Sequence, residues 1–113
     1  MSLKASAYRR ITRPSEYRRI YDTGRKVVGR YYVMFCSPSE AGDAGLGITV
    51  SGKVGNAVVR NRARRRTREA ANVVFGAAQP AADIVLVALS RITDSEFGAL
   101  VEDMKRLISK VRL

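Results

Sequence analysis

The densest cluster of charged side chains in the chain is a run of arginines, six within the nine residues 60–68. Like charges at neighbouring positions of a helix repel one another, so a cluster of this density is costly unless an anion binds to it. A solvated helix face is the ordinary interpretation of a few lysines. Arginine, however, forms forked hydrogen bonds with phosphate groups. The cluster therefore indicates a surface that binds a polyanion.

The charge of the whole chain is unevenly distributed. The 113 residues include 21 Lys and Arg against 10 Asp and Glu, a net charge of +11, with a sequence pI near 10.7. Residues 1–68 hold 16 of the basic and 4 of the acidic side chains, whereas residues 69–113 hold 5 and 6. An excess of this kind favours an anionic partner, most often nucleic acid.

The residue types argue against catalysis by this chain alone. The sequence has no histidine and one cysteine, Cys36, which removes the commonest general base, the usual nucleophile pairs and most zinc sites. The carboxylates of Asp22, Glu40, Asp43 and Glu69 belong to unrelated segments, while two-metal hydrolysis needs carboxylates that converge. We therefore predict no catalytic residue and no metal site on the protein, and we interpret Cys36 as a small packing residue.

Targeting and membrane segments are not predicted. No apolar run approaches the roughly 18 to 20 residues that span a bilayer, and the polar, basic N-terminal stretch lacks the apolar region of a secretory signal. We expect a cytoplasmic protein with no membrane partner.

The arginines belong to a predicted helix from Asn56 to about Phe75, ending at Gly76. Gly55 permits a tight turn before it, and asparagine is a favoured N-cap. At 100° per residue, one face carries a stripe of small residues suited to packing on a sheet. The opposite face carries Arg60, Asn61, Arg64, Arg65 and Arg68. Arg62 and Arg66 fall near the border, where we expect their stems to run along the core.

The remaining pattern predicts an α+β domain over residues 1–113, with a small mixed sheet and helices packed on it in the order α-β-β-α-β-α. Two strands are expected to pair as a hairpin, and a later apolar strand is expected to be covered on both faces. Thr93 and Glu96 are spaced as a capping box for the last helix. The predicted elements are a helix from Pro14 to Gly24, strands at 31–36, 46–51 and 84–89, and a helix from Phe97 to Val111.

Residues 53–69 read KVGNAVVRNRARRRTRE and follow a predicted strand. This segment resembles the RNR signature of the bacterial ribonuclease P protein component, with Arg60-Asn61-Arg62 at its centre. The resemblance extends over nearly the whole chain, including the basic N-terminal stretch, the aromatic strand and the last helix. One departure is Gly52, where many relatives carry a second basic residue.

The resemblance implies a subunit of a ribonucleoprotein endonuclease that removes the 5′ leader of precursor transfer RNA. The catalytic RNA would hold the Mg²⁺ and cut, so the isolated protein is expected to be inactive. The helix with the RNR signature would follow its strand through a left-handed crossover and contact that RNA. The residues implied in RNA binding are Lys53, Asn56, Arg60, Asn61, Arg62, Arg64, Arg65 and Arg68.

The same resemblance implies a cleft for the single-stranded leader, lined by Tyr17, Tyr21 and Phe35, and places Val54 in a leader-facing position. Bases stack on aromatic rings with little regard to sequence. From the residues alone, packing of Tyr17 and Tyr21 in the core is the favoured interpretation, because their spacing of four puts both rings on one helix face. Only the resemblance favours the cleft instead.

Two other functions are alternatives for a basic chain of this kind. A ribosomal protein or RNA chaperone would show the same composition, but the combination of Asn56, the RNR residues and the three aromatics favours the ribonuclease P subunit. A basic-region DNA reader is disfavoured, because no leucine heptads follow the basic helix and Gly76 and Pro80 end it. We therefore expect RNA partners and no DNA.

Overall fold

Five strands and three α-helices make up residues 7–111, the part of the chain that the computed structural model describes. A short 3₁₀ helix, Ser90–Asp94, precedes the last α-helix. The α+β class is as predicted. The elements in chain order are β1 (Arg9–Arg10), α1 (Pro14–Thr23), β2 (Arg25–Val28), β3 (Tyr32–Pro38), β4 (Gly45–Thr49), α2 (Ala57–Ala78), β5 (Ala82–Ala88) and α3 (Phe97–Val111).

The strands form one mixed sheet in the order β1-β4-β5-β3-β2. Strand β5 runs parallel to β4, to which α2 connects it, and antiparallel to β3, so that Leu86 lies between Ile48 and Met34. The predicted hairpin of β3 and β4 is wrong, because β5 separates the two strands. The polar loop between β3 and β4 would permit a hairpin. Strand β5 nevertheless lies between them, because its uninterrupted apolar run is buried most completely at the centre of the sheet.

Strand β5 is covered on both faces, as its sequence predicted. Ile84 and Leu86 belong to the larger core, formed with α2 and α3, and are at most 1% exposed. Val85 points to the opposite face, where it packs with Ile11 and with Ile20 of α1. The sheet therefore separates a large core from a smaller cluster beneath α1.

The predicted starts of α1 and α2 are confirmed, but α2 ends later than its sequence indicated. Pro14 opens α1 and Gly24 follows it. Helix α2 continues through Gly76 to Ala78, and Gln79 ends it in the left-handed conformation with φ 47°, donating its backbone N–H to the Phe75 carbonyl oxygen at 2.7 Å. Pro80 comes next and lacks the N–H that another helical turn needs.

The predicted capping box of α3 is wrong, because Thr93 lies inside the 3₁₀ helix. Its hydroxyl donates to the carbonyl oxygen of Ser90 at 3.1 Å rather than capping α3. Ile92 of this segment is buried in the core. Its burial favours the tighter 3₁₀ helix here over an α3 that begins near Thr93. The helix predicted from Phe97 to Val111 is confirmed. Among residues 7–111, no helix is long and apolar enough to cross a membrane.

Candidate nucleic-acid interface

The junction between β4 and α2 is built around Gly55 and Asn56. Gly55 has φ +157°, and a Cβ there would lie 2.8 Å from Cγ1 of Val59. The Asn56 side-chain oxygen accepts a hydrogen bond from the Val59 backbone N–H at 3.0 Å, which confirms the predicted N-cap. Lys53 is exposed just before this turn. The positive end of the α2 dipole and the Lys53 ammonium together favour an anion at this position.

Two arginines of α2 face outward without a partner. Arg62 and Arg65 are exposed, and within residues 7–111 neither makes an ion pair or a hydrogen bond. Arg62 lines a small pocket with Ala63 and Arg66, in keeping with its predicted position at the border of the apolar stripe. Its exposed side chain is as available to an anion as that of Arg65.

Arg60, Arg64 and Arg68 are half-buried along one side of α2. The Arg60 guanidinium donates to the Gly55 carbonyl oxygen at 3.1 Å and so braces the first turn. That of Arg64 donates to the side-chain oxygen of Asn61 at 3.0 Å. Each of these bonds uses one of the five N–H groups of a guanidinium. The remaining donors can still bind phosphate.

Arg66 has a different role from the other arginines of α2. Its guanidinium donates to the carbonyl oxygens of Ile92 and Ser95 at 3.2 and 2.5 Å. The stem runs along the core as predicted, but the charged end ties α2 to the segment before α3. This side chain therefore stabilises the fold.

The three predicted aromatic residues lie together on the opposite face of the sheet. The ring centroids of Tyr17 and Tyr21 are 6.3 Å apart, and that of Tyr21 is 4.9 Å from the perpendicular ring of Phe35. All three rings are half-buried and pack against Ile20 and Val85. A groove of about 620 Å³ opens beside them, lined by Thr12, Pro14, Tyr17, Arg18, Tyr21, Asp22 and Thr49. The rings of Tyr17 and Tyr21 thus pack with one side on the core and line the groove with the other, whereas Phe35 supports Tyr21 without lining the groove.

The tyrosines are fixed in position by β4. A Cβ at Gly47 would lie 2.8 Å from the Tyr17 ring, so only glycine allows this close contact. The Tyr17 oxygen accepts a hydrogen bond from the backbone N–H of Ile48, at the part of the β4 edge that short β1 leaves uncovered. The hydroxyls of Tyr21 and Thr49 are 2.8 Å apart and hydrogen-bonded. These contacts hold the rings rigidly.

Helix α2 follows β4 in the chain, and Tyr17 and Tyr21 contact Gly47 and Thr49 of that strand, so β4 connects the basic helix with the aromatic groove. Burial raises the pKa of Tyr17, whereas the hydrogen bond from Ile48 and the positive charges of Arg68 and Arg64 lower it in part. Two arginines of α2 therefore act electrostatically on a tyrosine of α1 across the edge of the sheet. We call Lys53, the α2 arginines other than Arg66, and the rings of Tyr17, Tyr21 and Phe35 together the basic–aromatic surface.

Comparison with known proteins decides the family. The family model described as Ribonuclease P matches residues 6–112. The chain belongs to the ribonuclease P protein family.

Individual relatives of the ribonuclease P protein family match over most of their length. The ribonuclease P protein component of Gluconacetobacter diazotrophicus is 39% identical over 104 residues, covering 89% of each chain. The RNase P protein of Staphylococcus aureus superposes with a TM-score of 0.80 at 30% identity, covering 91% of this chain and 94% of that one. The RNase P protein of Thermotoga maritima, with a TM-score of 0.82 at 22% identity and coverage of 92% and 98%, shares the fold.

Some residues that support the basic–aromatic surface were not predicted from the sequence. Thr49 and the backbone of Ile48 hold the ribonuclease P aromatic cluster, and the Lys26 ammonium lies 6.0 Å from the Phe35 centroid. Gly47 could have been identified from the sequence, because a glycine inside a strand often marks a position where another group packs closely against the backbone. Val54 is 8% exposed and packs in the larger core, so the leader-facing position implied for it is wrong.

The described part of this ribonuclease P family member shows no clustered metal ligands. Residues 7–111 contain no group of three or more Cys, Asp or Glu side chains placed to hold a metal ion. Burial raises the pKa of the Cys36 thiol, which packs half-buried against the larger core. Raised pKa values reduce thiolate reactivity, in keeping with its interpretation as a packing residue.

Proposed function

We propose that this chain is the protein subunit of a ribonuclease P ribonucleoprotein, in which it binds the catalytic RNA and the 5′ leader of precursor transfer RNA. The observation that supports this most directly is that the arginine-bearing helix α2 follows β4, the strand on which Tyr17 and Tyr21 pack beside their groove. Family membership supports the ribonucleoprotein role. A location in the cytoplasm, where precursor transfer RNA is processed in bacteria, is part of the proposal.

The two halves of the basic–aromatic surface suit different features of RNA. Arg62, Arg65 and the free donors of the half-buried arginines bind phosphates, which supplies affinity without sequence preference. The rings of Tyr17 and Tyr21 offer stacking surfaces to the unpaired bases of a single strand. A duplex cannot present its bases in this way, since they are stacked within the helix. The groove therefore favours a leader, and the helix favours the folded catalytic RNA.

In this proposal the RNA subunit and the substrate hold the Mg²⁺ and perform the cleavage. The protein binds and orients the precursor and lowers the electrostatic repulsion between two polyanions. The competing function, an RNA-binding protein outside any endonuclease, would use the same arginines. That competing function gives no reason for an aromatic groove that is open to a single strand of RNA.

Reconstitution tests the proposal. We expect the protein alone to leave precursor transfer RNA intact, and a bacterial ribonuclease P RNA with the protein to cleave it at a Mg²⁺ concentration where the RNA alone is slow. The protein with Arg62→Ala and Arg65→Ala is the matched comparison, since it keeps the fold and loses two exposed charges. Metal-dependent cleavage by RNA-free protein, or no stimulation of the RNA, would contradict the proposal.

The groove yields a separate prediction about precursor and mature transfer RNA. We expect Tyr21→Ala to weaken precursor binding by about 1 to 3 kcal/mol for each stacked base lost, while binding of mature transfer RNA, which lacks the leader, stays unchanged. Tyr21→Phe keeps the ring and loses only the bond to Thr49, so it should bind the precursor nearly as well as the natural protein. Paired titrations of both RNAs measure this.

Melting curves of the same variants separate binding from folding. A fully buried ring costs about 3 to 5 kcal/mol of stability on replacement by alanine, and half-buried Tyr21 should cost less. Equal loss of affinity for precursor and mature transfer RNA, or a collapse of the melting temperature, would show that the ring belongs to the core alone.

A further inference from the structure

We propose that RNA contact continues past Lys53 around the end of the sheet to a second stacking site at Arg30 and Tyr31, which binds an unpaired nucleotide of the catalytic RNA. This inference rests on the proposed function. It concerns the turn between β2 and β3 and the 3₁₀ helix, neither of which belongs to the basic–aromatic surface.

The turn that carries Arg30 and Tyr31 is held rigidly by α3. The buried carboxylate of Asp103 accepts hydrogen bonds from the backbone N–H groups of Arg30 and Tyr31, both at 2.9 Å. A Cβ at Gly29 would lie 2.7 Å from Oδ2 of Asp103, so the glycine permits this contact. Because the backbone is fixed, the two side chains project from a preorganised position, which reduces the entropy lost when a ligand binds.

Arg30 and Tyr31 form a cation–π pair at the surface. The guanidinium carbon of Arg30 lies 5.5 Å from the centroid of the Tyr31 ring. The ring packs against the larger core, while Arg30 is exposed and has no acidic partner among residues 7–111. Both a guanidinium plane and an aromatic ring stack on unpaired bases of RNA, so the pair offers a ready stacking surface.

Two neighbouring segments bring further positive charge to the same end of the sheet. The Leu89 backbone N–H donates to the Tyr31 carbonyl oxygen at 2.8 Å, which places the start of the 3₁₀ helix and its exposed Arg91 beside the turn. The Ser90 hydroxyl donates to the Lys53 carbonyl oxygen at 3.4 Å. Within residues 7–111, neither Arg91 nor Lys53 forms an ion pair. These contacts link Arg30, Arg91 and Lys53 into one basic strip.

The chemistry of this strip selects its ligand. Unpaired cations spaced along a surface match successive phosphates, and the Arg30–Tyr31 pair matches one exposed base. Asp94, which is exposed in the same 3₁₀ helix, makes no ion pair with Arg91, so the Arg91 guanidinium stays free to bind a phosphate. Because the strip begins at Lys53, where α2 begins, an RNA bound along α2 reaches it without interruption.

The test compares salt titrations of binding to a bacterial ribonuclease P RNA. We expect Arg30→Ala with Arg91→Ala to reduce the slope of log affinity against log salt by about 1.4 to 1.8, since each lost phosphate contact removes about 0.7 to 0.9. The matched control is Lys105→Ala with Lys110→Ala, which removes two exposed charges from α3 and should leave the slope unchanged.

Replacement of Tyr31 tests the stacking surface itself. We expect Tyr31→Leu to weaken binding by about 5- to 150-fold, the equivalent of one stacked base, and Tyr31→Phe, which keeps the ring, to bind as the natural protein does. Melting curves of the leucine variant, whose ring is lost from the larger core, show whether a folding defect causes the weaker binding. An unchanged slope with Arg30→Ala and Arg91→Ala, or equal binding by the leucine and phenylalanine variants, overturns the inference. If the inference fails in this way but Arg62→Ala with Arg65→Ala still lowers the salt slope, the proposed function stands without the second stacking site.

Discussion

Replacing Arg62 and Arg65 together by alanine is expected to weaken binding to the catalytic RNA by about 25- to 60-fold at 0.1 M salt. Each arginine that neutralises a phosphate contributes about 0.7 to 0.9 to the salt slope, which at this concentration corresponds to a similar number of decades in affinity. Both side chains are exposed and have no partner within residues 7–111, so their removal exposes no unpaired acidic group. The loss should therefore appear in binding and leave stability nearly unchanged.

The measurement is a titration of RNA at several salt concentrations, with melting curves alongside. Lys105→Ala with Lys110→Ala removes the same charge from α3 and serves as the control, with an expected loss of less than threefold. Arg66→Ala should behave in the opposite way, lowering stability through the lost bonds to Ile92 and Ser95. An unchanged salt slope for the Arg62 and Arg65 variant would remove the outward face of α2 from the interface.

Asp103→Ala is expected to lower the free energy of unfolding by about 3 kcal/mol. The carboxylate is fully buried and accepts hydrogen bonds from the backbone N–H groups of Arg30 and Tyr31 and from the Arg106 guanidinium. Alanine leaves the two N–H groups in a partly buried turn without an acceptor, and each unsatisfied group costs about 1 to 3 kcal/mol. For a chain of this size the melting temperature should fall by about 10 °C.

Denaturant unfolding of matched variants on α3 measures this cost. Glu102→Ala, one residue away, removes an exposed carboxylate whose contact with Lys105 is 3.4 Å long, and it should change stability by less than 0.5 kcal/mol, about the value of a surface pair. Asp103→Asn keeps one oxygen acceptor and should fall between the two. A loss below about 1 kcal/mol for Asp103→Ala would show that water replaces the carboxylate in the turn.

The buried acidic residues show why part of the structure escaped prediction. Asp83 on β5 binds Arg9 and Arg19 at 2.7 and 2.6 Å, joining β1 and α1 to the centre of the sheet. In the sequence it is a single aspartate before an apolar run, and nothing local identifies its partners, which are 74 and 64 residues away. The two-residue strand β1 depends on such long-range contacts and was missed for the same reason. Strand β2, basic and largely exposed, carries no apolar alternation that would reveal it.

Local features were predictable because they depend on neighbours in the chain. The N-cap at Asn56 forms with the Val59 N–H three residues on, and the starts of α1 and α2 follow from such short-range chemistry. The burial of β5 on both faces follows from its continuous apolar run. The RNR signature and the spacing of Tyr17 and Tyr21 likewise identified the family and brought the candidate site residues into view.

Tertiary structure alone decided which of those residues are available and how they are joined. The sequence of α2 does not distinguish Arg66, whose guanidinium binds the carbonyls of Ile92 and Ser95, from Arg62, which has no partner among the described residues. Placing β5 between β3 and β4 required the whole sheet, since burial at the centre outweighs the short loop that favours a hairpin. The close packing of Tyr17 on Gly47, beside Arg64 and Arg68, arises where three segments distant in sequence meet. Contacts of this kind depend on the three-dimensional path of the backbone, which periodicity and spacing do not specify.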